Sequence, residues 1–398
     1  MNKRSAISAR KIFDGSRWHE ACCVVFENGI VSDIVPAGQL PVKMPLADAG
    51  EGMLVPGFVD LQVNGGGGVL LNDEPSVEAI ECICAAHRQF GTTALLPTLI
   101  SDGPDKTALA IKAAQAAHQQ KIAGCLGLHL EGPHLSQARR GAHDARFIRM
   151  AHDGDIARLV AARAKVANLL VTVAPEAVDP EQVRQLVDAG IKVSLGHSDA
   201  SCANAVALVE AGATLVTHLF NAMSPLGHRE PGMVGAALSQ GGVSVGLIAD
   251  GFHVDPIVMG IAIRAKQGPG RIFLVTDAMS TIGSEQTFFT LNGRRISRSG
   301  GRLTLEDGTL AGADIDMIAS VRFLHDVVGL ALDESLRMAS LYPAQAMGIE
   351  NQYGHIGPGG RADFVQLSNA LAVERVWVGG MAVFTAELQD KNLLCLEK

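Results

Sequence analysis

The sequence predicts an α/β chain, a (β/α)8 TIM-like barrel carrying a small β domain built from both chain termini. Three observations predict it. Short apolar runs recur eight times through the middle of the 398 residues, most of them separated by stretches with helical spacing, and residues able to do chemistry follow nearly every run. Runs that are apolar without alternation fit parallel strands buried on both faces. Residues 54–349 give a barrel of ordinary length with insertions. A doubly wound open sheet is the competing arrangement. The chemistry at the run ends favours the barrel, in which all C-terminal strand ends meet on one face.

The N-terminal flank reads as strands at 21–26 and 30–35 around a Glu27-Asn28-Gly29 turn, and the C-terminal flank as strands at 363–367, 375–378 and 381–384. Neither flank has enough apolar positions to close a core alone. Residues 1–53 and 350–398 are therefore expected to combine into one small β domain. The barrel runs follow at 54–61, 93–97, 125–130, 169–174, 191–195, 214–217, 243–249 and 272–276. Helical spacing appears at 77–90, 105–119, 155–164, 180–189, 202–211 and 256–266. After the eighth run, residues 286–310 read as an insertion around an Asn292-Gly293 hairpin turn, either a lid over the barrel mouth or a surface addition. The glycine run at 65–68 lacks the lysine of a phosphate-binding loop and reads as a tight turn.

Composition narrows the function classes. Apolar residues make up 47% and charged residues 19%, which describes a well-buried globule. Lys and Arg number 33 against 41 Asp and Glu, a net charge of −8, with no basic run, so nucleic-acid binding is not expected. Cys22, Cys23, Cys82, Cys84, Cys125, Cys202 and Cys395 include no CxxC pair and are odd in number, so no disulfide framework is encoded. Without an apolar leader or a membrane-spanning run, a cytoplasmic location is expected.

The strand-end residues carry the chemistry. The first run leads into Gln62-Val63-Asn64, the third ends at His129-Leu130-Glu131, and the fifth at Gly196-His197. The sixth ends at His218, the seventh at Asp250-Gly251-Phe252-His253, and the eighth at Asp277. One carboxylate and two imidazoles, Glu131, His197 and His218, suit a divalent metal with an open position, zinc being the expected ion. Asp277 is placed to take a proton from a water bound there. His129 is expected to support the ligands rather than bind, His134 to be an exposed loop histidine, and Cys125 and Cys202 to be small buried residues. His87, His118 and His325 sit on helical patterns and are assigned to structure.

The motifs His129-Leu130-Glu131-Gly132-Pro133, Gly196-His197-Ser198, Thr217-His218-Leu219-Phe220-Asn221-Ala222-Met223, Arg229-Glu230-Pro231-Gly232 and Leu274-Val275-Thr276-Asp277-Ala278 occur in one order. With them the chain resembles the N-acetylglucosamine-6-phosphate deacetylase family of the amidohydrolase superfamily. The resemblance implies a barrel with a β-sandwich from both chain ends, and hydrolysis of an acetamido group to an amino-sugar phosphate and acetate. It implies Glu131, His197 and His218 as metal ligands and Asp277 as acid/base, with His143 bonding the substrate carbonyl. It further implies that Ala142, Asn221, Ala222, Arg229, Asp250, His253 and the segment Leu310, Ala311, Gly312 and Ala313 contact the sugar phosphate. Much of the superfamily has His-x-His where this chain has Gln62-Val63-Asn64, so one metal per chain is expected. The family also implies a homodimer in which the matching arginine crosses the interface. An N-acetylgalactosamine-6-phosphate deacetylase is the alternative. A cyclic-amide hydrolase is opposed by the absence of Lys after the fourth run, and a non-catalytic binding barrel by the retained ligand set.

Overall fold

The computed structural model describes residues 4–41 and 43–386, so Cys395 and the last part of the expected C-terminal flank lie outside the described residues. Eight parallel strands form the central sheet: β1 (Phe58–Val63), β2 (Thr92–Ile100), β3 (Leu128–Glu131), β4 (Leu169–Val173), β5 (Lys192–Leu195), β6 (Leu215–Val216), β7 (Ser244–Leu247) and β8 (Ile272–Leu274). They are hydrogen-bonded in sequence order. The two ends of that series meet: Asp277 N–H donates to the Gln62 carbonyl at 3.0 Å and Asn64 N–H to the Ala278 carbonyl at 2.9 Å. Asp277, read as the acid/base, and Gln62 and Asn64, read as standing where much of the superfamily has histidines, therefore lie on the seam that closes the barrel.

The strands are apolar for the reason expected. β1, β2, β3 and β4 are buried along their whole lengths, with helices packed outside them. The helices start where side chains satisfy their free amides. Asp179 accepts from Gln182 N–H while the Gln182 side chain answers to Asp179 N–H, opening the helix Pro180–Asp188. A helix at Gly232–Ser239, which the spacing did not predict, completes the sixth unit. It is buried nearly all round, so it carries no amphipathic signal.

The small domain is one curled sheet in which Arg4–Phe13 pairs with Trp18–Glu27, and Trp18–Glu27 with Ile30–Pro36. Met53–Pro56 joins it between Arg4–Phe13 and Phe364–Leu367. The sheet folds back so that Phe26 meets Phe364 with ring centroids 5.9 Å apart. The apolar run 54–61 is thus two strands belonging to different sheets. The break falls at Gly57, where a side chain would collide with Thr93 Oγ1 at 2.0 Å. The expected insertion is a four-stranded antiparallel sheet, Phe288–Leu291, Arg294–Ser299, Arg302–Thr304 and Leu310–Ala313, with its own apolar cluster around Ile296 and Leu303.

Candidate active site

A cavity of about 350 Å³ opens at the C-terminal ends of the strands. Asn64, Glu131, Ala142, His143, His197, His218, Asn221, Ala222, His253, Asp277, Leu310, Ala311 and Gly312 all line it, although the sequence separates the first from the last by most of the barrel. Parallel strand direction brings Asn64, Glu131, His197, His218 and Asp277 together, and the loop carrying Ala142 and His143 and the insertion strand Leu310–Ala313 close the cavity from outside the barrel. Three of these residues, His197, Asp277 and Ala222, and the nearby Phe220 hold positive φ of 47°, 51°, 50° and 75°. Non-glycine residues adopt such angles at a cost, and they are characteristic of functional turns.

At the centre, Glu131 Oε1 lies 3.1 Å from His218 Nε2 and 3.4 Å from His197 Nε2, and the two imidazole nitrogens are 3.0 Å apart. Three ligand atoms on a tetrahedral zinc with bonds of about 2.0–2.1 Å stand ~3.3 Å from one another. The triangle matches that spacing and its donor set, so these residues fit a divalent ion. His197 Nδ1–H donates to the Arg139 carbonyl at 2.9 Å, which leaves Nε2 with its lone pair toward the centre.

His143 also reaches this cluster: Glu131, His143 and His197 offer ligand atoms within 4.8 Å of one another. Its hydrogen bonding sets it apart. The Ser101 backbone N–H donates to His143 Nδ1 at 3.3 Å, so the proton of the neutral ring sits on Nε2. Burial holds the ring neutral, bringing its pKa down to about 4, with the His197 charge adding to the effect. His143 is a hydrogen-bond donor facing the cavity, 3.6 Å from Glu131 Oε2.

Charge distribution follows from burial and pairing. Burial favours the protonated form of Glu131, but the neighbouring His143, His197 and His218 outweigh it and hold the carboxyl well below its usual range. His218 shows the converse: burial disfavours its charge, and the Glu131 carboxylate raises its pKa nonetheless. Asp277 is raised by burial first and by the Glu131 charge second. Amide donors restrain both carboxylates. Gln62 Nε2 donates to Glu131 Oε1 at 2.9 Å and to Asp277 Oδ1 at 3.2 Å, while Asn64 Nδ2 donates to Asp277 Oδ1 at 2.6 Å. The Thr217 hydroxyl occupies Gln62 Oε1 at 2.6 Å.

Other expected residues are placed differently. Asp250 sits behind His253, accepting from its Nδ1 at 2.6 Å and from two backbone amides, and so orients that ring. Arg229 is exposed on the loop after β6, outside the cavity lining. Its neighbour Glu230 is engaged with Cys202 and Gly232 amides rather than with the guanidinium. Ala313 N–H donates to the Asp277 carbonyl at 3.0 Å, tying the insertion to the β8 end. His129 bonds Thr98 and Thr172 inside the barrel. His134 is not the exposed loop residue expected; it is buried, with Nδ1 3.3 Å from the Arg149 carbonyl. Cys125 and Cys202 are half-buried rather than buried. Burial pushes the Cys125 thiol up to about 11, leaving it unreactive. Two residues were missed, Ser101 and Arg139. Ser101 directly follows β2, where the rule applied to the other strand ends points to it.

Fold and site together define a metal-dependent hydrolase barrel, and the chain matches the amidohydrolase family over residues 53–383. The chain belongs to that family. It is 39% identical over 379 residues to the N-acetylgalactosamine-6-phosphate deacetylase of Shewanella sp. (strain ANA-3), covering 95% of each chain. It is 34% identical to the N-acetylglucosamine-6-phosphate deacetylase of Haemophilus influenzae, covering 92% of this chain and 91% of that one. The crystal structure of N-acetylglucosamine-6-phosphate deacetylase from Pasteurella multocida superposes with a TM-score of 0.92 at 33% identity, covering 95% of this chain and 99% of that one. No helix among the described residues is long and apolar enough to cross a membrane.

Proposed function

We propose that the chain hydrolyses the acetamido group of N-acetylglucosamine 6-phosphate, giving glucosamine 6-phosphate and acetate. The observation that carries the reading is the meeting, in one cavity, of the Glu131–His197–His218 triangle, the restrained Asp277 and the Nε2–H of His143. Glu131, His197 and His218 would hold one divalent ion per chain, with zinc best suited to one carboxylate and two imidazoles. Such an ion supplies Lewis-acid activation of water and of the substrate carbonyl.

Asp277 accepts the proton of the attacking water and delivers it to the sugar nitrogen as the C–N bond breaks. That delivery is needed because an amide anion is a very poor leaving group. His143 donates its Nε2–H to the carbonyl oxygen as negative charge develops there. Gln62 and Asn64 keep the two carboxylates at fixed positions. Their amide oxygens are weak metal ligands and their N–H groups are turned to Glu131 and Asp277, which supports a single ion.

Asn221, Ala222, His253 and the Leu310–Gly312 segment form the sugar side of the cavity, and His253 with the Ala142 backbone lies available to the phosphate. The exposed Arg229 is read as the phosphate ligand of a neighbouring subunit in a homodimer, its planar fork matching phosphate oxygens. A cytoplasmic location belongs to the same reading, because a sugar phosphate is ionised and does not cross membranes unaided.

A second reading is the C4 epimer, N-acetylgalactosamine 6-phosphate, supported by the 39% identity to the Shewanella enzyme. Acetate release from both N-acetyl hexosamines and both 6-phosphates decides. Turnover of the 6-phosphates alone is expected, with the glucosamine epimer preferred. A preference for the galactosamine epimer replaces the first reading with the second, and equal activity on unphosphorylated sugars overturns both.

A further inference from the structure

A second cavity, of about 450 Å³, lies on the flank of the barrel between the helices Pro104–Gln119 and Asp153–Arg163. Its floor is apolar, made by Ile111, Leu130, Phe147 and Leu159. Its rim is basic: Lys112, Arg146, Arg149, Arg158 and Lys165 against Asp102 and Asp155. Asp155 is consumed by Arg149 and Arg158, Asp102 by Lys106 at 3.1 Å, and Arg146 is paired with Asp144 at 2.6 Å, which leaves the two lysines as the uncompensated charge. Lys112 and Lys165 are exposed and have no ion-pair partner among the described residues. A volume in the ligand range, an apolar floor and uncompensated positive charge at the mouth are the features of a small-molecule site. The active-site chemistry uses none of these residues.

One segment walls both cavities. Gly132, Pro133 and His134 at one end and Arg146, Phe147 and Arg149 at the other line the flank cavity. Ala138, Arg139, Gly141, Ala142 and His143 between them line the active site. The segment is bonded to a central histidine at two points. Ser136 N–H donates to the His197 carbonyl at 2.9 Å, and the Arg139 carbonyl accepts from His197 Nδ1 at 2.9 Å. Arg149 N–H in turn donates to the Pro133 carbonyl at 3.1 Å, closing the segment at its base next to the flank cavity.

We propose that the flank cavity is a regulatory site for a small organic anion with an aromatic or alkyl body, and that its occupancy changes turnover through the 132–150 segment. The apolar body fills the floor between the two helices. The anionic group meets Lys112 and Lys165 at the mouth. Whatever shift the ligand imposes on the segment reaches His143 directly and His197 through its two backbone bonds. Binding and turnover are coupled to the extent that the ligand prefers one arrangement of the segment.

The test uses the metal-loaded full chain with naphthalene-1-sulfonate as the anionic probe and 1-naphthalenemethanol as its neutral counterpart. Calorimetry is expected to show one saturable site for the sulfonate, at least about tenfold tighter than for the alcohol. The double reversal K112E/K165E, on two exposed side chains, should weaken sulfonate binding by at least about tenfold. It should leave kcat and KM without probe unchanged. With wild type, saturating sulfonate should change kcat at least about twofold without raising KM competitively. Sulfonate binding insensitive to the reversal, or competition with substrate, overturns the site. Binding that leaves kcat unchanged overturns its regulatory role. Because calorimetry needs no turnover, failure of the deacetylase reading and failure of this site are separable.

Discussion

Gln62 Nε2 donates to Glu131 Oε1 at 2.9 Å, and the oxygen of the same amide is held by the Thr217 hydroxyl at 2.6 Å. The amide is therefore locked with its donor toward the metal-side carboxylate. Elemental analysis after exhaustive dialysis should find near one equivalent of divalent ion per chain. His197→Ala and His218→Ala should each lose it, because two remaining protein ligands leave an incomplete site. Two retained equivalents in wild type would refute a single site.

Asp277→Asn should keep the metal and substrate affinity while turnover falls by at least about a hundredfold, the scale of general acid–base catalysis. Asparagine accepts the same amide bond from Asn64 but cannot carry the proton. Near-normal kcat in a metal-loaded variant removes Asp277 from the proton path.

His143→Gln should lower kcat by about a hundredfold and change KM by less, since its donor acts where charge develops. Nitrogen-15 NMR of the histidine rings provides an independent check. It should show His143 neutral with the proton on Nε2 at pH 6. A resonance pattern for the Nδ1–H form contradicts the assignment from Ser101.

Asp60 is buried and accepts from Gln62 N–H, Thr276 N–H and the Thr276 hydroxyl; burial, stronger than those bonds, raises its pKa to about 7. Unfolded, the carboxyl titrates near 3.8. Between these values the folded state holds a proton that the unfolded state has lost, so this group makes stability fall as pH rises. Asp60→Asn can keep both backbone bonds through Oδ1 and turn Nδ2 to Thr276 Oγ1. The variant should gain stability relative to wild type as pH rises from about 4 to 7 and hold that gain above it, by a few kcal/mol at most. Urea melts that give a pH-independent difference would exclude this account.

Gly312 holds φ +66°, and an added Cβ there would lie 2.6 Å from Met279 Cγ and 2.9 Å from the Asp277 carbonyl. Gly312→Ala should lower turnover at least about tenfold and cost about 1–3 kcal/mol of stability. Thermal melts and steady-state kinetics read both. A variant with wild-type behaviour in the two would show that the loop yields freely.

The barrel was legible because its strands are apolar without interruption and because polar residues capable of chemistry begin where those runs stop. Glu131, His197, His218 and Asp277, which this reading singles out, all line the one cavity. What escaped depends on contacts distant in sequence. Nothing local says that 54–61 is two strands, since both halves are equally apolar and only the Gly57 approach to Thr93 separates them. His134 is buried and bonded to the carbonyl of Arg149, 15 residues later, and no periodicity records that. The role of His143 rests on a backbone amide 42 residues earlier, a group every residue possesses.

The small domain's use of both chain ends also sets an order for synthesis. Met53–Pro56 pairs on one side with Arg4–Phe13, which is made before the barrel, and on the other with Phe364–Leu367, which is made after it. Domains fold as they emerge. The N-terminal strands must therefore wait, with an open edge, while the intervening barrel is translated and folds. An open edge invites pairing with another chain. The nascent polypeptide is most exposed to misassembly in this interval, and translation speed through the barrel, rather than final stability, governs how long it lasts.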